Sequence, residues 1–250
     1  MRIVAWNICQ PRDRERNQAA LSRLRPDIAV IAERRRDLEA PAGCSVWVGE
    51  DSNKNKGLAV LSFGDYRATL HPAYDPAIRW AAPVLVTAPH SFFLLAIWTM
   101  KPYRRSLQDA LDRYHELLTD GPAVVAGDLN ASSASMFRMR GGARCAAYGD
   151  SNRQRDANLY LGDLPLISAY HKFFKEAPGA ERQATLHHLF KENKRSIFSQ
   201  NKIYHYDFCF ISESWSGSLE SVRVGKYKEW VARGSRFSDH VPLTVDLSLA

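Results

Sequence analysis

The sequence predicts an α/β protein, and three features of the chain indicate this class. Residues 2–8 and 27–32 read as buried strands, and a polar segment with apolar residues at helical spacing lies between them. Residues 45–100 contain short apolar runs separated by Gly, Pro and Asp, which is the pattern of antiparallel strands joined by turns. A further apolar run at 124–126 stops at a glycine. We therefore expect strands covered by helices rather than an all-helical or all-β protein.

Length, composition and charge indicate how many domains the chain forms and what kind of partner it binds. At 250 residues with 45% hydrophobic content, the chain can bury a large core. Because no Pro/Gly/Ser-rich linker or low-complexity tract divides it, we expect one domain over residues 1–250. A formal charge of +7 and a sequence pI near 9.3 favour a polyanionic partner. No apolar stretch reaches the length of a transmembrane helix, so we expect no membrane association.

Cysteine usage and the N-terminus bear on the compartment. The cysteines are widely spaced and form no CxxC pair, which disfavours a zinc site and a disulfide framework: Cys9, Cys44, Cys145 and Cys209. Polar Asn7 interrupts the first apolar run, so the N-terminus lacks the apolar core of a signal peptide. We expect a cytoplasmic monomer with reduced thiols.

The remaining elements are predicted from periodicity and from breaker residues. Helices fit residues 12–25 and 105–118, which end at Pro26 and at Gly121-Pro122. Later strands are predicted at 204–211, 219–224 and 241–249. Three segments fit less regular patterns, namely a helix near 153–161, a buried helix or irregular segment at 164–174, and a second such segment at 183–191.

Polar residues stand at strand ends throughout the chain, where a solvated side chain is not expected by chance. They are Asn7, Glu33, Asp128, Asn130, Asp207, Asp239 and His240. Mg²⁺ prefers hard oxygen ligands and is usually held by one or two carboxylates together with substrate phosphate. Glu33 and Asp239, helped by the Asn7 amide, suit this task. Each residue taken alone could instead hydrogen-bond the backbone of a strand end.

The other polar residues suit the attack of water on a phosphate. Asp128 and Asn130 are two residues apart, and in an extended backbone such side chains point to the same side, so the pair can orient a water. A protonated His240 paired with a buried Asp207 would stabilise the negative charge that the phosphate gains. These residues divide the work of a metal-dependent phosphoryl site among them.

The ordered set of motifs resembles the endonuclease/exonuclease/phosphatase superfamily, which includes deoxyribonuclease and abasic-site endonucleases. The motifs are Trp6-Asn7, Ala32-Glu33, Gly127-Asp128-Leu129-Asn130, Tyr206-Asp207-Phe208 and Ser238-Asp239-His240. The resemblance runs from residue 2 to about residue 248. It implies a four-layer α/β/β/α sandwich with two mostly antiparallel mixed sheets, and hydrolysis of phosphodiesters or phosphomonoesters with Mg²⁺ or Mn²⁺.

The resemblance also implies a role for each motif residue. Glu33 would be the main metal ligand, with Asn7 and Asp239 as its neighbours. Asp128 and Asn130 would position the water, and Asp207 with His240 would form the charge-assisted dyad.

The sequence departs from the family pattern at two places. Family nucleases commonly have a His or Tyr near the phosphate on the strand before Gly-Asp-x-Asn, where this chain has Trp98 or Thr99. Loss of that contact could lower the rate, or a nearby basic residue such as Lys101 or Arg79 could take it over. Glu33 is followed by three arginines, Arg34–Arg36, which would repel the cation if they folded inward. We expect them to point to solvent or to substrate phosphates.

Basic residues in the predicted loops suit a phosphate-binding rim. We predict substrate contacts for Lys54, Lys101, Arg138 and Arg140, with Lys56 in the same group, although a solvated surface explains isolated basic residues equally well. Adjacent His187 and His188 favour surface or core positions over a metal pair. Three tryptophans, Trp98, Trp215 and Trp230, are more often core residues than base-stacking platforms.

Three functions remain open on the sequence. The leading one is a Mg²⁺-dependent nuclease, and we expect nucleic acid, DNA in particular, as its partner. The alternative is a phosphatase or phosphodiesterase that acts on a small or lipid phosphate ester. The third is a nucleic-acid-binding protein that has lost activity, which the complete set of acids and the imidazole argue against.

Overall fold

Two six-stranded sheets organise the fold in a computed structural model that describes residues 1–9, 14–36, 45–49, 56–99, 103–136, 161–187, 204–231 and 237–249. In spatial order the first sheet contains β11 (Leu219–Val224), β12 (Leu243–Leu247), β1 (Arg2–Asn7), β2 (Ile28–Arg35), β4 (Lys56–Ser62) and β3 (Ser45–Gly49). The second contains β5 (Arg67–Leu70), β6 (Ala81–Thr87), β7 (Phe92–Trp98), β8 (Ala123–Asp128), β10 (Asp207–Ser212) and β9 (Leu166–Ser168).

Helices in the described residues are short and lie mainly between or after strands. They are α1 (Arg14–Leu24), α2 (Tyr103–Arg113), α3 (His115–Thr119), α4 (Ser133–Met136), α5 (Ala169–Phe174) and α6 (Tyr227–Trp230), with a 3₁₀ helix at Glu213–Ser218. Within this part of the chain, every helix is too short or too polar to span a bilayer.

The layers follow from the alternation of side chains along each strand. In β8, Val124 and Ala126 pack into the core between the sheets, while Val125 faces the cluster that holds α2 and α3 residues. In β1, Ala5 faces the shared core and Trp6 faces a cluster that includes residues of α1 and α6. Because the central strands are buried on both faces, they read as continuous apolar runs, whereas the edge strands β3, β5 and β11 contain exposed residues. The predicted four-layer α/β/β/α arrangement is confirmed.

The strand pairing is mostly antiparallel, as predicted. Parallel pairing occurs between β1 and β2 and between β7 and β8, and a helical crossover connects each of these pairs. Sites in α/β proteins form at the carboxyl ends of such strands. Asn7 ends β1 and Asp128 ends β8, so the two crossovers deliver polar residues to one edge of the sandwich.

Three predicted elements differ in the structure. The helix at 105–118 is split into α2 and α3 at Tyr114, a buried residue whose hydroxyl accepts the Asp75 N–H. The ambiguous segment 164–174 contains β9 followed by α5, because Leu166–Ser168 pairs with β10. The segment beginning at 183 is not helical over its described residues, since Leu186 bridges Tyr204 and His240. The helix near 153–161 falls outside the described residues, apart from Leu161.

Candidate functional site

The end of β8 builds the centre of the site through a backbone that requires glycine. Gly127 has a φ of +136°, and a Cβ added there would lie 2.0 Å from the Ile97 carbonyl oxygen of β7. The absence of a side chain therefore lets β8 pair closely with β7 just before Asp128. The atom that approaches Gly127 most closely thus belongs to the neighbouring strand.

Asp128 and Asn130 converge through a turn rather than through an extended backbone. Asn130 has a φ of +44°, and its backbone N–H donates to Asp128 Oδ1 over 2.9 Å. Its side-chain Nδ2 donates to Asp128 Oδ2 over 3.2 Å and to the Thr99 carbonyl over 3.1 Å. This Asx-type turn holds the buried carboxylate in one orientation.

Asp207 and His240 form a buried pair beside Asp128. His240 Nδ1 donates to Asp207 Oδ2 over 2.7 Å, and His240 Nε2 lies 4.0 Å from Asp128 Oδ2. Asp207 lies opposite Asp128 because β10 and β8 pair in that register. In the described residues, Asp207 Oδ1 is buried without a hydrogen-bond donor, so this oxygen has unused capacity.

Burial and charge set the protonation of this group. Burial lowers the pKa of His240, but the negative charge and hydrogen bond of Asp207, with Asp128 adding to them, raise it above the ordinary histidine value. The structure therefore favours an imidazolium. Burial also raises the pKa of Asp128, opposed by the charge of His240 and by the hydrogen bond from Asn7.

Asn7 connects the two sheets at this edge. Its Nδ2 donates to Asp128 Oδ2 over 2.9 Å and to Glu33 Oε1 over 3.2 Å, while its Oδ1 accepts the Cys9 N–H over 2.9 Å. The Asn7 amide therefore bridges Asp128, which is predicted to orient water, and Glu33, which is predicted to bind the metal.

Glu33 reaches the site from a bulge inside β2 rather than from a strand end. Its φ is +58°, and the pairing of β2 with β4 shifts register between Ile31 and Arg34. A bulge of this kind turns one side chain away from the regular alternation and is frequent beside active sites. Glu33 Oε2 lies 2.5 Å from the Nζ atom of Lys56.

Asp239 and Ser238 complete the rim on the side of the first sheet. The Ser238 hydroxyl donates to the Asn7 carbonyl over 2.6 Å and accepts the His240 N–H over 3.0 Å, so it ties the motif to the end of β1. Desolvation, together with the charges of Asp239 and Glu33, raises the pKa of the Cys9 thiol to about 12. Both carboxylates therefore lie close enough to Cys9 for their charges to act on one thiol.

Thr185 supports the dyad of Asp207 and His240, although no motif in the sequence points to it. Its hydroxyl accepts the backbone N–H groups of Tyr206 and Asp207 over 2.9 and 3.0 Å, and its carbonyl accepts the Val241 N–H over 2.8 Å. It thus connects the start of β10 to the segment before β12 that carries His240. A buried threonine beside a predicted irregular segment carries no signal of this role in the sequence.

The structure explains the two departures from the family pattern, which lie at Trp98-Thr99 and at the arginines after Glu33. Trp98 packs against Trp80 with ring centroids 5.1 Å apart and belongs to the core between the sheets. Thr99 is buried, and its hydroxyl donates to the Leu129 carbonyl, which helps to hold the loop that carries Asn130. Arg34 was expected to point to solvent or to substrate, but it is 4% exposed, because strand β2 continues through it and alternates its side chains.

Some residues that were selected from the sequence lie outside the described residues, and the positions of the others can be given. Lys54, Lys101, Arg138 and Arg140 lie outside them, as does His188. Arg79 is exposed in the turn before β6. His187 contacts the Tyr227 ring at a centroid distance of 5.1 Å, and its N–H donates to the Asp239 carbonyl over 2.7 Å. Trp230 is buried, and Trp215 packs against the core.

Two groups of residues offer ligand atoms for a divalent metal ion. Asp128, Asp207 and His240 present ligand atoms within 4.8 Å of one another, and all three are buried. Glu33 and Asp239 offer carboxylates at the rim, and Glu33 already holds the cationic ammonium of Lys56. Because a histidine ligand must be neutral whereas His240 is held cationic, the carboxylates at the rim fit Mg²⁺ better. The residues present thus suit a hard divalent cation.

Comparison with known proteins gives matches in structure but not in sequence. No family model matches this chain, and no curated protein sequence matches it. Solved structures match over the full length. A 3' phosphatase from Neisseria, NExo, bound to a product DNA hairpin, is 19% identical with a TM-score of 0.63, and the match covers 100% of both chains.

Two further structures match as completely. The endonuclease domain of the telomere-specific non-LTR retrotransposon TRAS1 is 17% identical with a TM-score of 0.64 over 99% of this chain and 98% of that one. An AP endonuclease from Archaeoglobus fulgidus is 13% identical with a TM-score of 0.63 over 100% of both. The chain has the endonuclease/exonuclease/phosphatase fold. Its structural relatives include nucleases and a phosphatase, so the predicted resemblance is confirmed at the level of the fold.

Proposed function

We propose that the protein is a metal-dependent hydrolase that cleaves phosphodiester bonds of nucleic acid with Mg²⁺ or Mn²⁺. The observation that carries the proposal is the buried group of Asp128, Asp207 and His240, whose ligand atoms lie within 4.8 Å of one another. Burial of two acids and an imidazole costs free energy, and proteins rarely retain such groups away from functional sites. A fold shared with nucleases and a phosphatase supports the same conclusion.

In this proposal His240 and Asp207 stabilise the negative charge of the phosphate. Asp207 holds the imidazole through Nδ1, so that Nε2 carries a proton toward the site. An imidazolium there donates a hydrogen bond to a phosphoryl oxygen as negative charge develops in the transition state. Thr185 positions Asp207 through its two backbone hydrogen bonds and does not itself contact substrate.

Asp128 acts on the attacking water. Asn7 and Asn130 hold its carboxylate from two sides, so it accepts a hydrogen bond from water in one fixed direction. Burial raises the pKa of Asp128, which makes it a better proton acceptor than an exposed aspartate. Asn130 serves by orienting this carboxylate.

Glu33 and Asp239 are the residues that would hold the metal ion. When bound, Mg²⁺ supplies positive charge that neutralises the phosphate and stabilises the transition state. Asn7 holds Glu33 through Oε1, which orients the other oxygen outward toward the position of Lys56.

Charge and structural relatives support nucleic acid as the substrate. The net charge of +7 favours association with a polyanion. The Neisseria structure contains a product DNA hairpin, which supports DNA for this chain as well. Lys54, Lys101, Arg138 and Arg140 remain predicted contacts to substrate phosphates, and a monomer remains our prediction.

A second candidate is hydrolysis of a phosphomonoester, and one observation favours it. The Neisseria protein of the same fold is described as a 3' phosphatase, so this architecture accommodates a terminal phosphate. The same residues would act, and the substrate would be a nucleic-acid end or a smaller phosphate ester.

One assay separates these functions. Purified protein is incubated with plasmid, single-stranded DNA, an abasic-site duplex, RNA, a 3'-phosphorylated duplex and a small phosphate ester, each with Mg²⁺ or with EDTA. The proposal predicts metal-dependent cutting of at least one nucleic acid. Release of phosphate alone would establish the second candidate, and binding without turnover of any substrate would refute both.

A further inference from the structure

Lys56 places a positive charge on the carboxylate that the proposed function assigns to the metal. It begins β4 and pairs with Arg35 of β2, next to the bulge that carries Glu33. The ammonium Nζ lies 2.5 Å from Glu33 Oε2, and the other oxygen, Oε1, accepts the Asn7 amide. Both oxygens of Glu33 are therefore engaged by donors of this chain.

The backbone holds Lys56 in place while its side chain can move. The next residue, Gly57, lies between β2 and β3, opposite Arg34 on one side and Gly49 on the other. A Cβ on Gly57 would meet the Trp47 ring at 2.4 Å, so this part of the strand is closely packed. The flexible four-carbon stem of lysine nevertheless allows the ammonium to leave without moving the sheet.

The contact is partly shielded from solvent. The side chains of Lys56 and Glu33 are 23% and 18% exposed. An ion pair at such a position interacts more strongly than one on an open surface, because water screens it less. Removing the positive charge of Lys56 thus changes the electrostatic potential at Glu33 more than removing a fully exposed charge would.

An ammonium and a metal ion disfavour each other at Glu33 Oε2. Mg²⁺ binds carboxylate oxygens at about 2.0–2.1 Å, which is the space next to the oxygen that the ammonium now occupies. Two cations at that distance would also repel each other strongly. We propose that Lys56 competes with the divalent cation for Glu33 and must leave that oxygen when the metal binds.

This proposal rests on the proposed function, since it requires that Glu33 bind the metal. It gives the lysine a role different from the phosphate contact that the sequence suggested. In the metal-free protein Lys56 neutralises Glu33, and it thereby sets how much free metal is needed to load the site. Lys56 is thus a residue that determines metal affinity.

The test is the affinity for Mn²⁺ alone, measured by isothermal titration calorimetry without substrate. Lys56→Met keeps the length of the side chain and removes the charge, Lys56→Arg keeps the charge, and Lys226→Met is a control at an 82% exposed lysine. We expect Lys56→Met to bind Mn²⁺ about tenfold more tightly than the wild type. Lys56→Arg and Lys226→Met should stay within about twofold of the wild type. Equal or weaker binding by Lys56→Met would overturn the proposal.

Glu33→Gln separates this proposal from the proposed function. If the wild type does not bind Mn²⁺, or if Glu33→Gln binds it equally well, the assignment of Glu33 to the metal fails, and the competition proposal fails with it. If binding requires Glu33 but Lys56→Met is no tighter, the competition proposal fails alone. Lys56→Gln is measured alongside, so that the loss of charge is tested in a second folded variant, and thermal unfolding verifies the fold of each protein.

Discussion

Asn7 donates a 2.9 Å hydrogen bond to Asp128 and thereby joins the end of β1 in one sheet to the end of β8 in the other. Both residues are buried, with exposed fractions of 2% and 1%. This contact requires the two sheets to be packed correctly before the site exists. The site is thus a property of the whole sandwich rather than of any single motif.

Replacing Asn7 tests whether this connection matters. Asn7→Ala removes donors to two carboxylates, so turnover should fall about 100-fold, by analogy with the loss of one positioning hydrogen bond at an active site. The melting temperature should also fall, because a buried acceptor loses its partner. Steady-state kinetics and thermal unfolding measure the two effects. Wild-type turnover in Asn7→Ala would contradict the role of Asn7.

The pair of Asp207 and His240 should be the part of the site most sensitive to charge. Asp207→Asn keeps the shape of the side chain but removes the charge that favours the imidazolium, and turnover should fall by about 10²–10⁴-fold. Thr185→Val, which removes the acceptor for two backbone N–H groups, should produce a smaller loss. Rates at saturating substrate give the comparison, and a larger loss for Thr185→Val than for Asp207→Asn would contradict these roles.

Gly127 should tolerate no side chain. Gly127→Ala places a Cβ 2.0 Å from the Ile97 carbonyl at a φ of +136°, so we expect a loss of about 3 kcal/mol or more in the free energy of unfolding. Gly217→Ala is the matched control, because a Cβ there meets nothing within 4 Å and the backbone is not strained. Its unfolding free energy should stay within about 0.5 kcal/mol of the wild type. Urea denaturation measures the unfolding free energy of both variants. An equal loss in Gly127→Ala and Gly217→Ala would contradict the requirement for glycine at position 127.

The sequence predicts this fold well where the local pattern and the tertiary environment agree. Strands buried on both faces produce continuous apolar runs, and for this reason the run ending at Asp128 was recognisable. The order of strands in each sheet could not be predicted in this way. That β1 lies between β12 and β2 depends on contacts between residues far apart in the chain, which periodicity does not encode.

The site shows the same division. Asp128, Asp207 and His240 could be chosen from motifs at strand ends, and the structure brings them together. Lys56 and Thr185 contact residues that are distant in sequence, so nothing in their own neighbourhood indicates those partners. The bulge at Glu33 was equally hidden, because its residues read as the end of a regular strand.

A buried network around Glu181 predicts how stability depends on pH. Burial raises the pKa of Glu181, but hydrogen bonds from His171 and Ser133 lower it more, from its ordinary value of 4.5 to about 2. A carboxyl with a lower pKa in the folded state stabilises the protein fully above the unfolded pKa. That stabilisation is lost as the pH falls from about 4.5 through about 2.

Glu181→Gln isolates this contribution. The difference in unfolding free energy between the wild type and Glu181→Gln should be largest near neutral pH, at about 2–3 kcal/mol, and should shrink steadily below pH about 4.5. Urea denaturation at several pH values measures it. A difference that does not change with pH would show that Glu181 contributes by packing and not by charge.

Binding to nucleic acid should depend steeply on salt. If basic residues neutralise substrate phosphates, counterions are released on binding, and affinity for a duplex falls by orders of magnitude between about 50 and about 200 mM salt. Fluorescence anisotropy in EDTA measures binding without turnover. A flat response would count against the predicted contacts of Lys54, Lys101, Arg138 and Arg140.

The role of Asp128 in metal-dependent cleavage is decided by hydrolysis of a labelled DNA duplex by the wild type and by Asp128→Ala, each with Mg²⁺ and with EDTA. We expect the wild type to cut with Mg²⁺ but not with EDTA, and we expect a loss of at least about 1000-fold in Asp128→Ala, whose circular dichroism spectrum should match that of the wild type. Cutting that persists in EDTA, or that Asp128→Ala performs as fast as the wild type, would contradict that role.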